Sequence, residues 1–306
     1  RELTFDVYVR DVVTNALQDE TLTVERRRRL IDLLAARRSQ FAGDSRLRSE
    51  LAATCIVECS DGVFRPAAEV YWPSEAVIAV LGRAVPQVQS VSITAARREL
   101  YSWLGVKESP AAADIRSRVQ SLTAAGPTPE SVRSITAIFE HLGESFSRAT
   151  PRGNEMNHLR TYAWLPASDS PNRWHRPSEL CATYRAYLFQ SQAVFLAISD
   201  GIQRRSRDFI DFLGIRIEPE VNEVVAHLLK CSTENVQVNQ EVYRFLSDNA
   251  DAPQVQTLKG RPCLLIDNGY ISPDQVFWGE HPFARYRFRL APELRQFASL
   301  LIKLGV

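Results

Sequence analysis

Two cysteines four residues apart form the one close cysteine pair in the sequence. Cys55 and Cys59 open and close the stretch CIVEC, and residues four apart share one face of a β-strand, so both thiols could point at one metal ion. A structural zinc site needs four ligands, and no second pair stands at a suitable spacing. The alternative is two small buried apolar side chains, which is also our interpretation of Cys181, Cys231 and Cys263. We therefore predict no metal ligands.

Arginines alternate with apolar residues in RYRFRL at 285–290, as expected for a strand. One face of such a strand would carry Arg285, Arg287 and Arg289, and the other would carry Tyr286, Phe288 and Leu290. Guanidinium groups about 6.6 Å apart on one face suit phosphates or acidic side chains. Charged side chains also protect an exposed edge strand from pairing with another chain. The stretch is thus either a candidate contact for an anion or partner, or a protected edge.

A second basic run, ERRRRL at 25–30, places four arginines in one predicted helix. We expect Leu30, Ile31, Leu33 and Leu34 to form its buried side and the arginines to form a solvated basic face. The chain as a whole has a net charge of +1, so no overall field selects nucleic acid or an anionic membrane. Any basic site must therefore be local.

Common catalytic signatures are absent from the sequence. It contains neither GxxxxGK[ST] nor GxGxxG, which argues against a P-loop or Rossmann nucleotide site. It also lacks GxSxG, and its five histidines are scattered without a recurring Asp or Cys partner. We therefore predict that this segment is not an enzyme, with no catalytic residue and no bound cofactor.

Length and composition indicate a folded protein with a large core. The chain has 306 residues, 45% of them apolar and 24% charged, and no apolar run approaches the roughly 20 residues of a membrane span. No signal peptide opens it, and five cysteines without a disulfide pattern fit a reducing compartment, so we expect a cytoplasmic location. Because the first residue is Arg1 rather than Met, we expect a piece of a longer or processed polypeptide.

Three predicted helices share one ending: SWLGV at 102–106, DFLGI at 211–215 and IKLGV at 302–306. A glycine just beyond a helix adopts the left-handed conformation at little cost, so we predict positive φ at Gly105, Gly214 and Gly305 as structural caps. In the Schellman arrangement the apolar residue after each glycine contacts the residue that lies four positions before that glycine.

A hairpin is predicted ahead of each capped helix. CIVECSDGVFRP at 55–66 and CLLIDNGYISP at 263–273 read as strand, tight turn, strand and proline, with turns at Asp61-Gly62 and Asn268-Gly269. The middle counterpart, WLPASDSPNRWHRP at 164–177, has a longer polar loop but reaches the same proline.

Paired helical patterns precede the hairpins, which completes a predicted repeat. The fold class is therefore α+β, a mainly helical repeat array in which each unit has a helix pair, a β-hairpin and a Gly-capped helix. The predicted units are 1–106, 107–215 and 216–306, with loops at 124–131 and 147–157 inside the middle unit. Such units stack on their neighbours into an elongated array. The alternative is chance recurrence of a common Leu-Gly-Val string.

The middle part of the chain resembles a known family. LRTYAWLPASDSPNRWHRPSELC at 159–181, followed by FIDFLGIRIEPEVNEVVAHLL at 209–229, is similar to the repeated regions of the sacsin and NO VEIN family. The resemblance is strongest over 159–306 and fainter over 51–142. It depends on two tryptophans, Leu-Pro, Pro, Glu-Leu and Leu-Gly-Ile, all of them structural elements.

In that family such regions follow an ATP-binding domain of the GHKL type, shared with the ninety-kilodalton heat-shock chaperone. The resemblance implies a non-catalytic scaffold or chaperone-type module that binds a client protein or the adjacent ATPase domain. SDGVF and SDGIQ lack the second glycine of the family's Asp-x-Gly-x-Gly nucleotide motif, so any ATP site belongs elsewhere in the parent chain. The alternative is a nucleic-acid-contacting accessory module of a bacterial defence or DNA-processing system, using Arg285, Arg287 and Arg289. We expect no membrane partner.

Overall fold

A computed structural model describes residues 4–19, 21–91, 93–146, 156–169, 172–266, 269–278 and 288–306. The described chain is rich in α-helix and has a few small strand pairs, which agrees with the α+β class. It falls into two compact units. The first comprises Arg1–Leu122 and Arg133–His141, and the second comprises Thr123–Val132 and Leu142–Val306. The division into three repeat units at 106 and 215 stays a prediction.

The first unit begins with a series of helices. A π-helical turn, Val9–Val13, joins α1 (Phe5–Tyr8) to α2 (Thr14–Gln18). The helices that follow are α3 (Val24–Ala36), α4 (Ser45–Ala52), α5 (Glu75–Leu81), α6 (Ala95–Leu104) and α7 (Ala112–Ala124). Side chains of Thr23, Asp44, Ser74 and Thr94 cap the starts of α3, α4, α5 and α6, as short polar residues do.

Strands β1 (Val57–Glu58) and β2 (Phe64–Arg65) form an antiparallel hairpin in this unit. Its core combines apolar residues of α1–α4, the hairpin and α6, among them Val13, Ile31, Leu34, Leu47, Leu51, Val57, Leu100 and Tyr101. The turn contains Gly62 with φ of 78°, as the Asp61-Gly62 signal predicts. A short 3₁₀ turn, Ala67–Glu69, leads from the hairpin to Tyr71.

Eight helices can be placed beyond α7 in the described chain. They are α8 (Pro129–Ser145), α9 (His158–Thr161), α10 (Asp200–Arg205), α11 (Arg207–Leu213), α12 (Val221–Glu234), α13 (Gln240–Asp248), α14 (Pro253–Gln256) and α15 (Ala298–Leu304). Short 3₁₀ segments cover Arg38–Gln40, Pro177–Glu179, Thr183–Leu188, Pro273–Gln275 and Pro292–Phe297. The predicted loop at 124–131 is shorter than expected, because α7 reaches Ala124 and α8 begins at Pro129. Proline suits that first helical position.

Two more strand pairs belong to the second unit. β3 (Leu264–Ile266) and β4 (Gly269–Ile271) are antiparallel, whereas β5 (Val276–Phe277) and β6 (Phe288–Arg289) are parallel. Gly269 is paired with Ile266 inside β4, so it is not the turn glycine that the sequence predicted; Asn268 lies outside the described residues. The register sets this difference, because it keeps Leu264 and Ile266 buried in the core with α12, α13 and α15.

The three Gly-ended helices have the backbone geometry that the sequence predicts. Gly105, Gly214 and Gly305 have φ of 93°, 78° and 90° and follow α6, α11 and α15. The N–H of the residue after each glycine donates to a carbonyl five positions earlier, the 6→1 bond of the Schellman motif. These donor–acceptor pairs are Val106 to Tyr101, Ile215 to Ile210 and Val306 to Leu301, at 3.1, 3.2 and 3.1 Å.

The arginines of α3 are not all solvated, which corrects the expectation of a plain basic face. Arg27 is 9% exposed, and its Nη1 donates to the carbonyls of Leu17 and Cys55 at 2.8 Å each. Arg28 reaches the buried carboxylate of Glu58 through its Nε at 3.1 Å. The neighbouring Arg26 and Arg29 are exposed. Two arginines therefore bind internal oxygen atoms, because a long side chain can carry its charge across the helix face to buried acceptors.

Candidate functional site

A cavity of about 450 Å³ in the first unit is lined by four charged side chains and two further polar ones. The lining comprises Ala68 and Glu69 of the 3₁₀ turn, Tyr71 after it, Lys107, Asp114, Ser117 and Arg118 around α7, and the apolar residues Leu81, Val85 and Pro86. Its size lies within the roughly 300–1,000 Å³ of small-molecule sites.

An ion pair forms one wall of the cavity. Lys107 Nζ lies 2.7 Å from Asp114 Oδ2, and the hydroxyl of Tyr71 also bonds to that oxygen. The backbone N–H of Ala111 donates to the same hydroxyl at 3.3 Å, and Lys107 Nζ lies 4.9 Å from the centre of the Tyr71 ring. Tyr71 is 2% exposed, so this network holds its ring and hydroxyl in a fixed position.

The helix cap at Gly105 places Lys107 in this network. After the left-handed turn the chain pairs with the segment after the 3₁₀ turn: Lys107 N–H donates to Val70 O at 3.0 Å, and Trp72 N–H donates to Lys107 O at 2.8 Å. Asp114 then lies in the first turn of α7, where a carboxylate is favoured by the helix dipole. The backbone hydrogen bonds of Lys107 and the start of α7 thus bring the two charged side chains together.

The pKa values of this cluster all move away from neutrality. Burial raises the pKa of Tyr71, and its bond to Asp114 adds to the rise. Burial is the largest single influence and opposes the charged forms of Lys107 and Asp114, but their mutual hydrogen bond, the contacts with Tyr71 and their charge attraction together outweigh it, so the pKa of Lys107 is raised and that of Asp114 is lowered. Near pH 7 these groups are fixed charges and donors, and none has the near-neutral pKa that suits proton transfer.

A second ion pair occupies the same position relative to Gly214. Arg216 follows that glycine by two residues, as Lys107 follows Gly105, and it binds Glu223 with two bonds of 2.8 Å. The sequence separation is seven residues in both pairs (114 − 107 and 223 − 216). Arg216 N–H donates to Leu180 O at 3.1 Å, which matches the bond from Lys107 to Val70.

In this second arrangement, the residue at the sequence offset of Arg118 is a buried histidine. His227 follows Arg216 by eleven residues, as Arg118 follows Lys107 (227 − 216 and 118 − 107). His227 is 3% exposed, and its Nδ1 lies 2.9 Å from Ser191 Oγ. Burial, with a smaller effect of the Lys230 charge, lowers the pKa of His227, so the ring is neutral near pH 7. The ring is therefore closed off from solvent and already has a polar neighbour.

The predicted arginine strand is described only at its end. Arg285, Tyr286 and Arg287 lie outside the described residues, whereas Arg289 is exposed in β6. Leu290 is buried, but Phe288 is 50% exposed, so the two residues predicted to share the apolar face differ in burial. The parallel pairing of β6 with β5 leaves Phe288 beside an open groove of about 720 Å³ that Arg289 and Tyr243 also line.

The cysteines are all free thiols. Cys59, Cys181, Cys231 and Cys263 are buried, as the apolar interpretation predicts, but Cys55 is exposed. Cys55 precedes β1 in a bend, so it does not share a strand face with Cys59 and is not the buried apolar residue expected. Within the described ranges, no three His, Cys, Asp or Glu side chains are grouped as metal ligands would be.

Comparisons with protein-family models, with curated proteins and with solved structures give no match. Among the helices of the described ranges, none has the length and apolar character needed to cross a bilayer.

The sequence analysis did not identify the cavity residues. The available signal was the seven-residue spacing of opposite charges two positions after Gly105 and again after Gly214. It is weak in isolation, because charges seven apart are common. It gains meaning only when the glycine caps are aligned first.

Proposed function

We propose that this chain is a non-catalytic repeat scaffold, similar to the sacsin-type extension, that binds a partner protein and couples it to an ATPase domain elsewhere in the parent polypeptide. The proposed repeat units are 1–106, 107–215 and 216–306, with ATP bound outside this segment. A cytoplasmic setting and a protein client, rather than a membrane, are part of the proposal.

The observation that carries this proposal is the recurrence of one backbone arrangement. In two places the residue after a 3₁₀ turn, Ala67–Glu69 or Pro177–Glu179, has a carbonyl that accepts a hydrogen bond from a backbone N–H. The donor is Lys107 in the first case and Arg216 in the second, and each of them directly follows a Gly-capped helix. A third 3₁₀ turn, Pro273–Gln275, precedes the helix that ends at Gly305. Repeats built on one arrangement suit stacking and broad binding surfaces.

The hairpins that lead into these turns support the same unit. Leu165 pairs with His175 antiparallel, as Val57 pairs with Arg65, and Leu264 with Ile271. The proline after each predicted hairpin differs by one position in its place relative to the 3₁₀ turn. Pro66 precedes its turn, whereas Pro177 and Pro273 are the first residues of theirs. Both positions suit the fixed φ of proline.

The test is the ATP turnover of the full-length gene product, intact and without residues 1–306, with chain 1–306 alone as the blank. We expect the deletion to change the turnover, the chain alone to hydrolyse nothing, and addition of the purified chain to shift turnover back. A parent protein that hydrolyses no ATP, or a deletion without effect, would overturn the coupling role.

The exposed Arg289 beside the half-exposed Phe288 favours a second candidate, contact with single-stranded nucleic acid. A cation next to an accessible aromatic ring is a common arrangement for backbone contact and base stacking. Anisotropy of a short labelled oligonucleotide should then fall steeply between about 50 and 200 mM salt. Replacing Arg285, Arg287 and Arg289 by Ala should weaken binding, whereas Arg29→Ala should not. Salt-independent or absent binding excludes this candidate.

A further inference from the structure

The guanidinium group of Arg118 has no described partner. Its Nε is buried and makes no hydrogen bond, and no described carboxylate lies within ion-pair distance of the side chain. A buried donor left without an acceptor is unfavourable, and more so when the group is charged. This cost would be relieved by an acceptor that enters the cavity.

The guanidinium of Arg118 packs closely against Gly82. This glycine ends α5 with φ of 85°, and a Cβ built on it would lie 3.1 Å from Arg118 Nη2. The arginine head thus lies directly over a backbone that has no side chain. A cation held in place before its ligand arrives binds with less loss of conformational entropy.

The other charges of the cavity define which anion would fit. Lys107 and Asp114 compensate each other at 2.7 Å, which leaves Arg118 as the cation of the cavity lining without a described ion-pair partner. Glu69 is exposed at the rim and has no ion-pair partner among the described residues. Its negative charge disfavours a dianion such as phosphate. A single carboxylate is therefore the better match, since it also suits the planar fork of a guanidinium.

The remaining wall is apolar. Leu81 is 3% exposed, and Val85 and Pro86 lie beside it at the cavity. Apolar walls with a few fixed polar groups are typical of small-ligand sites, where the polar groups orient the ligand. The body of the ligand is thus expected to be small and apolar.

His227 has the same sequence offset from Arg216 as Arg118 has from Lys107. Unlike Arg118, it is buried and already hydrogen bonded to Ser191. Arg118 is therefore the residue of this pair that still lacks a described polar partner.

We propose that the cavity between Tyr71, Lys107 and Arg118 binds a carboxylate with a small apolar body, either a free acid or the C-terminus of a partner polypeptide. Arg118 contacts the carboxylate through its guanidinium N–H groups, Lys107 contributes a remaining ammonium donor, and Leu81 and Val85 contact the apolar body. This inference is independent of the scaffold function.

Ligand-observed NMR titration of the whole chain tests the site with N-acetyl-leucine. The matched probes are N-acetyl-leucinamide, which lacks the carboxylate, inorganic phosphate, and an acetylated tripeptide ending in Leu with a free C-terminus. We expect the acid to bind and the amide and phosphate to bind much more weakly. If the tripeptide binds more tightly than N-acetyl-leucine, the ligand is a polypeptide C-terminus. If the tripeptide does not bind, the ligand is a free acid.

The matched variants are Arg118→Met, which keeps an unbranched stem without the charge, and Arg29→Met on the exposed face of α3. Arg118→Met should raise the dissociation constant about tenfold or more, as loss of a charged hydrogen bond does, and Arg29→Met should not change it. Arg118→Met should not lower the thermal midpoint, because the buried donor it removes has no acceptor among the described residues. Equal binding of acid and amide, tighter binding of phosphate, unchanged affinity of Arg118→Met, or no binding of the acid would each overturn the proposal.

Discussion

A Cβ built on Gly143 would lie 2.0 Å from Ser206 Oγ and 2.4 Å from Ser206 Cβ, so no side chain fits between α8 and the start of α11. Ser206 is 1% exposed, and its hydroxyl has no hydrogen-bond partner in the described chain. Gly143 is thus needed for close approach rather than for a special backbone conformation.

We predict that Gly143→Ala destabilises the second unit by about 3 kcal/mol, since an overpacked contact forces the backbone to shift. Denaturant unfolding measures the change. Ser206→Gly in the same chain removes both clashing atoms and should recover much of the loss, which gives a favourable coupling energy in the double-mutant cycle. Gly43→Ala is the control, because no atom lies within 4 Å of a Cβ at Gly43. Strictly additive effects would contradict the contact.

The helix cap at Gly214 predicts a purely conformational cost. No atom lies within 4 Å of a Cβ built there, yet φ is 78°. Gly214→Ala should lower the free energy of unfolding by about 1 kcal/mol, because Ala resists the left-handed region. Gly201→Ala, at a helical position in α10, should be neutral or stabilising. Denaturant unfolding compares the two, and a Gly214→Ala variant as stable as the wild type would refute the cap.

The buried Arg27 should be the one arginine of ERRRRL whose loss affects stability through backbone contacts. Arg27→Ala leaves the carbonyls of Leu17 and Cys55 without their donor, and we expect a loss of about 1–3 kcal/mol in the free energy of unfolding. Arg29→Ala, on the exposed side, should stay within about 0.5 kcal/mol of the wild type. Thermal and denaturant unfolding check both. Equal effects of the two substitutions would contradict the internal role.

The neutral His227 predicts a pH dependence of stability. Its pKa is lowered in the folded state, so the unfolded chain binds the proton first as the pH falls below the ordinary value of about 6.5. The contribution of this residue is therefore complete above that value and is lost as the pH falls toward the lowered pKa. Unfolding measured between about pH 7.5 and 5.5 should show a shallower decline for His227→Gln than for the wild type. Identical slopes would show that the ring is not held neutral by folding.

Sequence reasoning succeeded where structure is local. The caps at Gly105, Gly214 and Gly305 depend on a few adjacent residues, so the Leu-Gly-Val pattern was sufficient to predict them. Arg27 was assigned to the solvated face although it precedes Ile31 by four residues and Leu34 by seven, which places all three on one side of α3. This spacing indicated that Arg27 lies on the apolar face of the helix, but the run of four arginines obscured it.

The cavity and the Gly143 contact could not be predicted in the same way. Gly143 is an ordinary glycine in the string EHLGES, and only the packing of α11 shows why Ala is excluded. Arg118 is one of several arginines in this part of the chain, and its lack of a partner depends on where Gly82 and Tyr71 lie. Contacts between distant segments determine both features, and periodicity within one helix carries no information about them.

The return of the chain after each glycine cap also determines how the protein would respond to tension. Lys107 and Arg216 each bond on both sides to a parallel segment, to Val70 and Trp72 in one case and to Leu180 and Ala182 in the other. A pull on the polypeptide at Lys107 or Arg216 would load these paired hydrogen bonds in shear, so that they would have to break together. Both returns would therefore resist extension of the chain at that point more than either hydrogen bond would alone.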